Sequence, residues 1–158
     1  MNNLSKQAQI VQNALAQKNL NFEVMELSSS TRTAQEAARA IGCAVAQIMK
    51  SIIFRTSKTN IPILVLASGS NHINEKKIAQ EIGEKIEKAD AEFSKEVTGF
   101  VIGGVPPIGH KQPIRTLIDA DLLQYDELWA AAGTPHAVFK LNSTDLAKMT
   151  DGKIMVII

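Results

Sequence analysis

A run of eight residues, 103–110, contains three glycines and two prolines and follows the apolar residues 100–102. Glycine allows positive φ and the close approach of another molecule, whereas proline fixes φ and removes a backbone N–H donor. Neither a helix nor a strand can continue through such a segment. We therefore expect a strand at residues 100–102 that leads into a rigid loop, which serves either as a tight structural turn or as one wall of a ligand pocket.

The length and composition are those of one domain, which we place at residues 1–158. Hydrophobic residues make up 45% of the chain and aromatic residues only 4%, so the core must be built from aliphatic side chains. The formal net charge is +1. Any contact with nucleic acid must therefore depend on a local basic patch, because no overall positive field attracts a polyanion.

Several classes of protein do not fit these residues. The single cysteine, Cys43, rules out an internal disulfide and a zinc site with several cysteines, and its small neighbours predict burial. The first residues lack the apolar core of a signal peptide, and no apolar run approaches the ~18 residues of a membrane span. We therefore expect a cytoplasmic protein without membrane contact. The histidines, His72, His110 and His136, are too scattered to indicate a metal site.

Periodicity and capping residues predict five helices. Apolar residues at helical spacing make the first ~18 residues an amphipathic helix. The other four are a helix capped by Thr33 and Glu36 and stopped by Gly42, a helix from Asn74 to Gly83, a helix that Asp90 caps and that runs to residue 97, and a short helix that begins at Ser143 or Thr144.

Strand candidates outnumber the helices. Residues 61–67 form a nearly continuous apolar run, which is typical of a strand buried on both faces. Residues 45–49 read as a helical turn, which puts Lys50 at the junction with a strand at residues 51–55. The other strand candidates are residues 21–27, 86, 100–102, 115–118, 127–131, 136–141 and 154–158. This irregular mixture favours an α+β domain with a mixed β-sheet that can curl into a barrel, rather than a doubly wound fold.

Common hydrolase and nucleotide-binding motifs do not occur. The chain has no Gly-x-Ser-x-Gly and no His-Glu-x-x-His sequence, and no residue beside Cys43 suggests activation of its thiol. The spacing of Gly103 and Gly104 fits neither the dinucleotide fingerprint nor the Walker loop. The sequence indicates no covalent nucleophile, no metal and no nucleotide cofactor.

Polar residues beside small ones mark the ends of predicted elements, where loops converge into pockets. Lys50 either extends to the surface or holds a phosphate or carboxylate as a point charge. His136 is either a structural histidine on an apolar strand or a functional residue, and Lys111 with Arg115 is either a basic edge or an ordinary solvated face. The remaining candidates are residues 68–72, 103–110 and 133–136.

Together these residues resemble the YbaK/aminoacyl-tRNA-synthetase-associated family, which includes the editing domain of bacterial prolyl-tRNA synthetases and its free-standing relatives. The resemblance runs nearly end to end, and six segments in the same order make it specific. The segments are residues 33–38, 47–54, 67–71, 98–110, 116–119 and 131–139.

The resemblance implies an α+β fold with a mixed β-sheet curled into a barrel-like pocket flanked by helices. It implies an aminoacyl-tRNA deacylase, a trans-editing hydrolase that cleaves the ester of mischarged tRNA and so serves translation fidelity. No metal, cofactor or protein nucleophile is implied. The implied partner is the 3′ CCA end of an aminoacyl-tRNA, with an aminoacyl-tRNA synthetase as a further candidate, and neither DNA nor a membrane is indicated.

The resemblance also implies which residues form the site. Lys50 would bind the backbone phosphate of the 3′-terminal adenosine, the backbone of residues 103–107 would line the aminoacyl group, and residues 133–136 would form the opposite wall. The implied catalytic residues are Lys50, Gly103, Gly104 and His136. The implied substrate contacts are Ser68, Gly69, Asn71, Val105, Pro106, Pro107, Gly109, His110, Gly133 and Thr134.

Such a site is chemically sufficient, because an aminoacyl ester is already activated. It needs an oriented water, or the substrate's own 2′-OH or side chain, together with donors at the developing oxyanion. The N–H groups of Gly103, Gly104 and Val105 can donate, whereas the two prolines cannot. His136, ahead of His110, is the candidate for a general base or water-orienting group.

The sequence leaves the substrate open, since it does not give the volume of the pocket. Alanine, serine, threonine and cysteine esters are all candidates, on a tRNA(Pro)-type or another tRNA. Two other functions also stay open. One is a non-catalytic module that binds an aminoacyl-adenosine-like ligand, a tRNA or a synthetase, and the other is a metabolic hydrolase for small esters.

Overall fold

The computed structural model describes residues 3–158, which form one mixed β-sheet with helices packed on it. The strands are β1 (Val24–Glu26), β2 (Ile48–Thr56), β3 (Pro62–Ser68), β4 (Ile86–Lys88), β5 (Arg115–Asp119), β6 (Glu127–Ala131), β7 (Ala137–Asn142) and β8 (Lys153–Met155). The α-helices are α1 (Lys6–Gln17), α2 (Ala34–Ile41), α3 (Glu75–Ile82), α4 (Ala91–Thr98) and α5 (Leu146–Thr150). Short 3₁₀ turns occupy Val45–Gln47, Ala120–Gln124 and Ser143–Asp145. No helix within the described part of the chain is long and apolar enough to cross a membrane.

The strand order in the sheet is β1-β7-β6-β2-β3-β5-β8, and β4 pairs with β2 beside this path. The pairs β2–β6, β3–β5 and β5–β8 are parallel. The other pairs are antiparallel. The predicted α+β class with a mixed sheet is confirmed. The sheet does not close into a barrel, because β1 and β8 form its two free edges.

One edge of β2 is shared by two partners that approach from opposite ends. The first two residues of β2 pair with β6, and the last three pair with β4. The Ala89 N–H, just after β4, donates to the Ile53 carbonyl at an N–O distance of 3.0 Å. Residues 50–52 have no strand partner on this edge, whereas β3 pairs with them on the other. We call this interruption of the sheet the β2 gap.

Local sequence signals set the boundaries of three helices. The side chains of Thr33, Asn74 and Asp90 each accept a hydrogen bond from a backbone N–H in the first turn of α2, α3 and α4, which stabilises the helix start. Each of these helices ends at a glycine in the left-handed conformation, Gly42, Gly83 and Gly99 respectively. These three predicted helices are therefore confirmed.

The predicted strand at residues 100–102 is wrong. Gly99 ends α4 in the left-handed conformation, and the Gly104 N–H then donates to the Val101 carbonyl at 3.0 Å. This bond closes a turn, so residues 100–102 are not extended and do not pair with a strand. Phe100 is buried in the core, while Ile102 is exposed beside the glycine loop.

Two further boundaries differ from the predictions. Residues 48 and 49 are extended rather than helical, because they pair with β6, and Lys50 therefore lies inside β2 instead of at a junction. Residues 156–158 continue beyond β8 without strand pairing. In both cases the presence or absence of a partner strand decides the conformation, and a local sequence pattern does not show where a partner strand lies.

The two glycine-containing loops pack directly against each other and against α1. The Gly133 N–H donates to the Gly104 carbonyl at 2.8 Å. Gly133 has a φ of +101°, and a Cβ at this position would lie 2.7 Å from the Gln7 carbonyl oxygen of α1. A Cβ at Gly104 would lie 2.7 Å from the Cα of Thr134. Glycine is therefore required at both positions by close approach of backbone to backbone.

We expect Gly133→Ala to lower the free energy of unfolding by about 3 kcal/mol, since it adds a backbone clash to an unfavourable φ. Gly83→Ala is the matched control, because Gly83 has a φ of +84° but open space around its Cβ position. It should lose only about 1 kcal/mol. Urea unfolding of the two variants measures the difference, and equal losses would contradict the packing argument.

Candidate active site

A cavity of about 580 Å³ opens at the β2 gap. This volume is typical of a site for a small molecule or for one end of a larger ligand. Its wall combines β2, the start of α2, the end of β6 and residues 102, 103 and 105, which are far apart in the sequence. Of the implied catalytic residues and substrate contacts, Lys50, Gly69, Gly103 and Val105 line the cavity. Ser70 and His72 of the candidate segment 68–72 line it as well.

The charged side chains in the lining are all positive. Arg32, Lys50 and Lys88 line the cavity together with His72, and the lining contains neither aspartate nor glutamate. None of the three cations takes part in a salt bridge within residues 3–158. Because cations that share a cavity repel one another, this lining favours an anionic ligand such as a phosphate.

Lys50 is held in place while most of its donors stay free. Its ammonium group donates to the Asn71 carbonyl at an Nζ–O distance of 2.8 Å. An ammonium has three donors, so two are left for a ligand. Burial lowers the pKa of Lys50, the carboxylate of Asp119 opposes this shift, and the charge of Lys88 adds to it. The cavity therefore holds a lysine that gives up its proton more readily than an exposed one.

Asp119, at the end of β5, organises the support behind Lys50. It is only 2% exposed. Its carboxylate accepts hydrogen bonds from the Ser68 N–H at 3.0 Å, the Asn71 side-chain amide at 2.8 Å and the Asp121 N–H at 2.9 Å. Asn71 in turn presents its backbone carbonyl to Lys50. Ser68 and Asn71, which we expected to touch the substrate, lie outside the lining. Ser68 bonds to Asp119, and Asn71 connects Asp119 to Lys50.

The start of the glycine loop presents two free backbone donors. Gly104 donates its N–H to Val101 and does not line the cavity. The N–H groups of Gly103 and Val105, by contrast, have no hydrogen-bond partner within residues 3–158, and both residues line the cavity. Val105 is 4% exposed, so its N–H is withheld from bulk water. Two fixed donors in a mostly apolar wall can polarise a ligand oxygen.

The second half of the glycine loop supports the first half and does not line the cavity. The His110 Nε2–H donates to the Pro106 carbonyl at 2.6 Å, and burial lowers the pKa of His110. Gly109 has a φ of +84°, and its Cβ position lies 3.4 Å from the Ala14 Cβ of α1. Pro106 and Pro107 are buried. These residues fix the shape of the loop from its far side.

Residues 133–136 also lie outside the cavity lining, and they brace one of its walls. The Thr31 N–H and hydroxyl both donate to the Pro135 carbonyl, at 2.6 and 2.9 Å. The His136 ring is exposed, and its Nδ1 lies 3.2 Å from the Ser29 carbonyl. These contacts with Ser29 and Thr31 fix the segment that precedes Arg32. The structure thus places Gly133, Thr134 and His136 behind the wall and not in it.

Several lining residues were missing from the sequence analysis. Arg32 precedes the α2 cap, and Lys88 belongs to the short strand β4, so neither position stands out locally. What distinguishes Arg32 and Lys88 is that neither forms a salt bridge within residues 3–158, and this is visible only in the folded structure. The polar or aromatic lining residues that were not among the site candidates are Thr31, Arg32, Thr33, Gln35, Ser51, Lys88, Ser94 and Trp129.

Cys43 and the metal-ligating residues offer little to the chemistry of the site. Burial raises the pKa of the Cys43 thiol, which keeps it in the unreactive protonated form. Among residues 3–158 no group of three histidine, cysteine, aspartate or glutamate side chains is arranged to hold a metal ion. What the arrangement can do is bind an anion and stabilise a developing negative charge with backbone donors.

We expect Asp119→Asn to lower the free energy of unfolding by about 2–4 kcal/mol, because an amide cannot accept from all three donors that surround it. Asp121→Asn is the control. Asp121 accepts a bond from the same Asn71 amide but is less buried, so it should lose less than about 1 kcal/mol. Chemical denaturation measures both variants. Similar losses would show that Asp119 has no special structural role.

Comparison with known proteins places this geometry in a family. A solved structure described as a "putative trans-editing enzyme for prolyl tRNA synthetase" is 42% identical, with a TM-score of 0.91, and the match covers 98% of both chains. The "Uncharacterized protein YwhH" of Bacillus subtilis is 29% identical over 146 residues, which is 92% of each chain. The "Putative Cys-tRNA(Pro)/Cys-tRNA(Cys) deacylase EbsC" of Enterococcus faecalis is 26% identical over 127 residues, covering 75% of this chain and 77% of that protein.

The family model of the aminoacyl-tRNA editing domain matches residues 28–149. This range contains the β2 gap, every residue of the cavity lining and the glycine loop. The predicted resemblance is thereby confirmed, and the chain belongs to the aminoacyl-tRNA editing domain family.

Proposed function

We propose that this protein is an aminoacyl-tRNA deacylase that hydrolyses the ester of a mischarged tRNA in trans. The observation that carries the proposal is the charge of the cavity. Arg32, Lys50 and Lys88 stand without carboxylates around a space of about 580 Å³, beside two free backbone donors. A terminal aminoacyl-adenosine offers the matching parts, which are a phosphate for the cations and an ester carbonyl for the donors.

The proposed reaction uses backbone donors and no side-chain nucleophile. Water attacks the ester carbonyl, oriented by the free 2′-OH of the terminal ribose, and the N–H groups of Gly103 and Val105 stabilise the negative charge that develops on its oxygen. The ester C–O bond then breaks, and the departing ribose oxygen takes up the proton that the water gives up. The amino acid then leaves as a carboxylic acid and the tRNA regains its hydroxyl. Removing one such donor typically costs 10²–10³-fold in rate, so the shape of this loop sets the rate.

Lys50 fits the role of phosphate ligand. Its ammonium is backed by the Asn71 carbonyl, so it is already positioned when the substrate arrives. Gly104 and His136 fit their expected catalytic roles less well. The Gly104 N–H already donates to the Val101 carbonyl, and the His136 ring lies outside the cavity lining. We propose that His136 acts through the wall it braces, and that Gly104 acts by fixing the loop.

The substrate is a tRNA that carries a small amino acid. Small side chains, Ala89, Ala130 and Ala131, line the cavity together with larger apolar ones such as Met49 and Ile53, so the lining excludes none of the small amino acids. Alanine, serine, threonine and cysteine esters therefore remain the candidates. One methylene changes selectivity in such a pocket by only about 1–3 kcal/mol. The names of the relatives point to tRNA(Pro) as the first tRNA to test.

The proposal predicts that the purified protein releases amino acid from at least one mischarged tRNA in a panel of tRNA and amino-acid pairs. Lys50→Ala should lower kcat/KM by about 100-fold, because it removes the positioned phosphate ligand. Lys18→Ala, which changes an exposed lysine at the end of α1, should have no effect. Radiolabelled deacylation assays measure both.

Three results would contradict this function. A full panel left intact rules out the deacylase. Tight binding of a non-hydrolysable aminoacyl-adenosine without turnover of the ester supports a binding module instead. Hydrolysis of free aminoacyl esters at an undiminished rate without tRNA supports a hydrolase of small esters.

The lowered pKa of Lys50 predicts a pH dependence of binding. The pKa of the Lys50 ammonium lies below the ordinary lysine value of 10.5, so affinity for a phosphate-bearing ligand should fall on the alkaline side at a lower pH than it would with an exposed lysine. Lys50→Arg should remove this fall, since arginine stays charged. Titration with a minihelix that carries an amide-linked amino acid avoids alkaline hydrolysis. A fall of equal size at the same pH in both proteins would show that another group titrates.

A further inference from the structure

Ser51 carries a polar group that the fold leaves without a partner. Its hydroxyl oxygen is the one side-chain nitrogen or oxygen within residues 3–158 that is buried and makes no hydrogen bond. The residue lines the cavity at the β2 gap. A buried hydroxyl without a partner destabilises the fold, and such a group is retained where a ligand completes its bonding.

The main chain of Ser51 is also unpaired. Along a strand, the N–H and C=O of alternate residues point to the same edge. The Ile53 carbonyl accepts from Ala89 across the β4 edge, so the N–H and C=O of Ser51, two residues earlier, face that edge as well. Residue 51 lies between the segments paired to β6 and to β4, in the β2 gap. Ser51 thus has an unpaired hydroxyl, carbonyl and N–H at the β2 gap.

The lining has no carboxylate that could pair with an amino group. Every aminoacyl ester carries an α-amino group, and Arg32, Lys50 and Lys88 disfavour its protonated form inside the cavity. The amine must therefore be held by neutral acceptors. The Ser51 carbonyl and hydroxyl are acceptors of this kind, on the inner side of β2 beside Met49 and Ile53.

We propose that Ser51 binds the α-amino group of the aminoacyl substrate through its hydroxyl and its unpaired carbonyl, and so positions the ester against the glycine loop. This inference rests on the deacylase function proposed above. The hydroxyl turns toward the ligand by rotation about χ1, a motion between staggered rotamers. The amine donates one N–H to the carbonyl and one to the hydroxyl. An N-acylated substrate has one N–H and a bulky group, and it fits this place poorly.

The test is a cycle of two enzymes and two substrates. Wild-type protein and Ser51→Ala are assayed on the same tRNA carrying either a free or an N-acetylated amino acid. Wild type should prefer the free amine at least about tenfold, and Ser51→Ala should lose about tenfold on the free amine, as expected for one hydrogen bond. On the N-acetyl substrate, Ser51→Ala and wild type should hydrolyse the ester at the same rate. Ser51→Thr, which keeps the hydroxyl, should restore the preference.

Thermal unfolding supplies a readout that a purely structural serine would not give. Because the hydroxyl has no partner in the free protein, Ser51→Ala should melt at the same temperature as wild type or higher. A lower melting temperature, or an equal loss of activity on both substrates, overturns the inference. Wild-type protein that hydrolyses both substrates equally also overturns it while leaving the deacylase function standing. Hydrolysis of neither substrate on any tRNA removes the proposed function itself.

Discussion

The site depends on a constraint in the hydrogen bonding of a single strand. β2 offers one edge to two partners, and β6 and β4 take its two ends. A ladder continued by either partner would fill the middle and leave no cavity. The interruption exposes main-chain groups in the interior of a sheet, where they are normally paired. The ligand space is therefore a defect of the sheet itself and not a cleft between separate units.

Two layers surround this defect. The inner layer lines the cavity and includes the cations, apolar side chains and free backbone donors, with Lys50 and Val105 among its members. The outer layer fixes the inner one, and Asp119 and His110 belong to it through their bonds to Asn71 and Pro106. Residues that hold a site in shape constrain the residue type as strongly as residues that touch a ligand.

How much could be predicted from the sequence follows from the range of the interactions. Thr33 and Gly42 act within one turn of helix, so the boundaries of α2 could be read directly. Residues 100–102 have the composition of a strand, but no partner reaches them, and composition alone cannot show that. Ser51 and Lys88 become parts of one cavity through the pairing of β2 with β4, and Arg32 through the packing of the segment before α2. Lys50 and the glycine loop could be named through the family resemblance, whereas the division between contact and support required coordinates.

The position of α1 shows that the structural unit extends N-terminal to the range matched by the family model. The family match starts at residue 28, after α1, yet the Gln7 side chain donates to the Gly99 carbonyl at 2.8 Å, and its backbone lies against Gly133. Ala14 of the same helix lies beside Gly109. Both glycine-containing loops therefore pack against α1. A fragment cut at the family boundary would keep every group that lines the cavity and lose the surface against which the glycine loop packs, so the smallest unit that preserves the shape of the cavity extends beyond the segment by which the family is recognised.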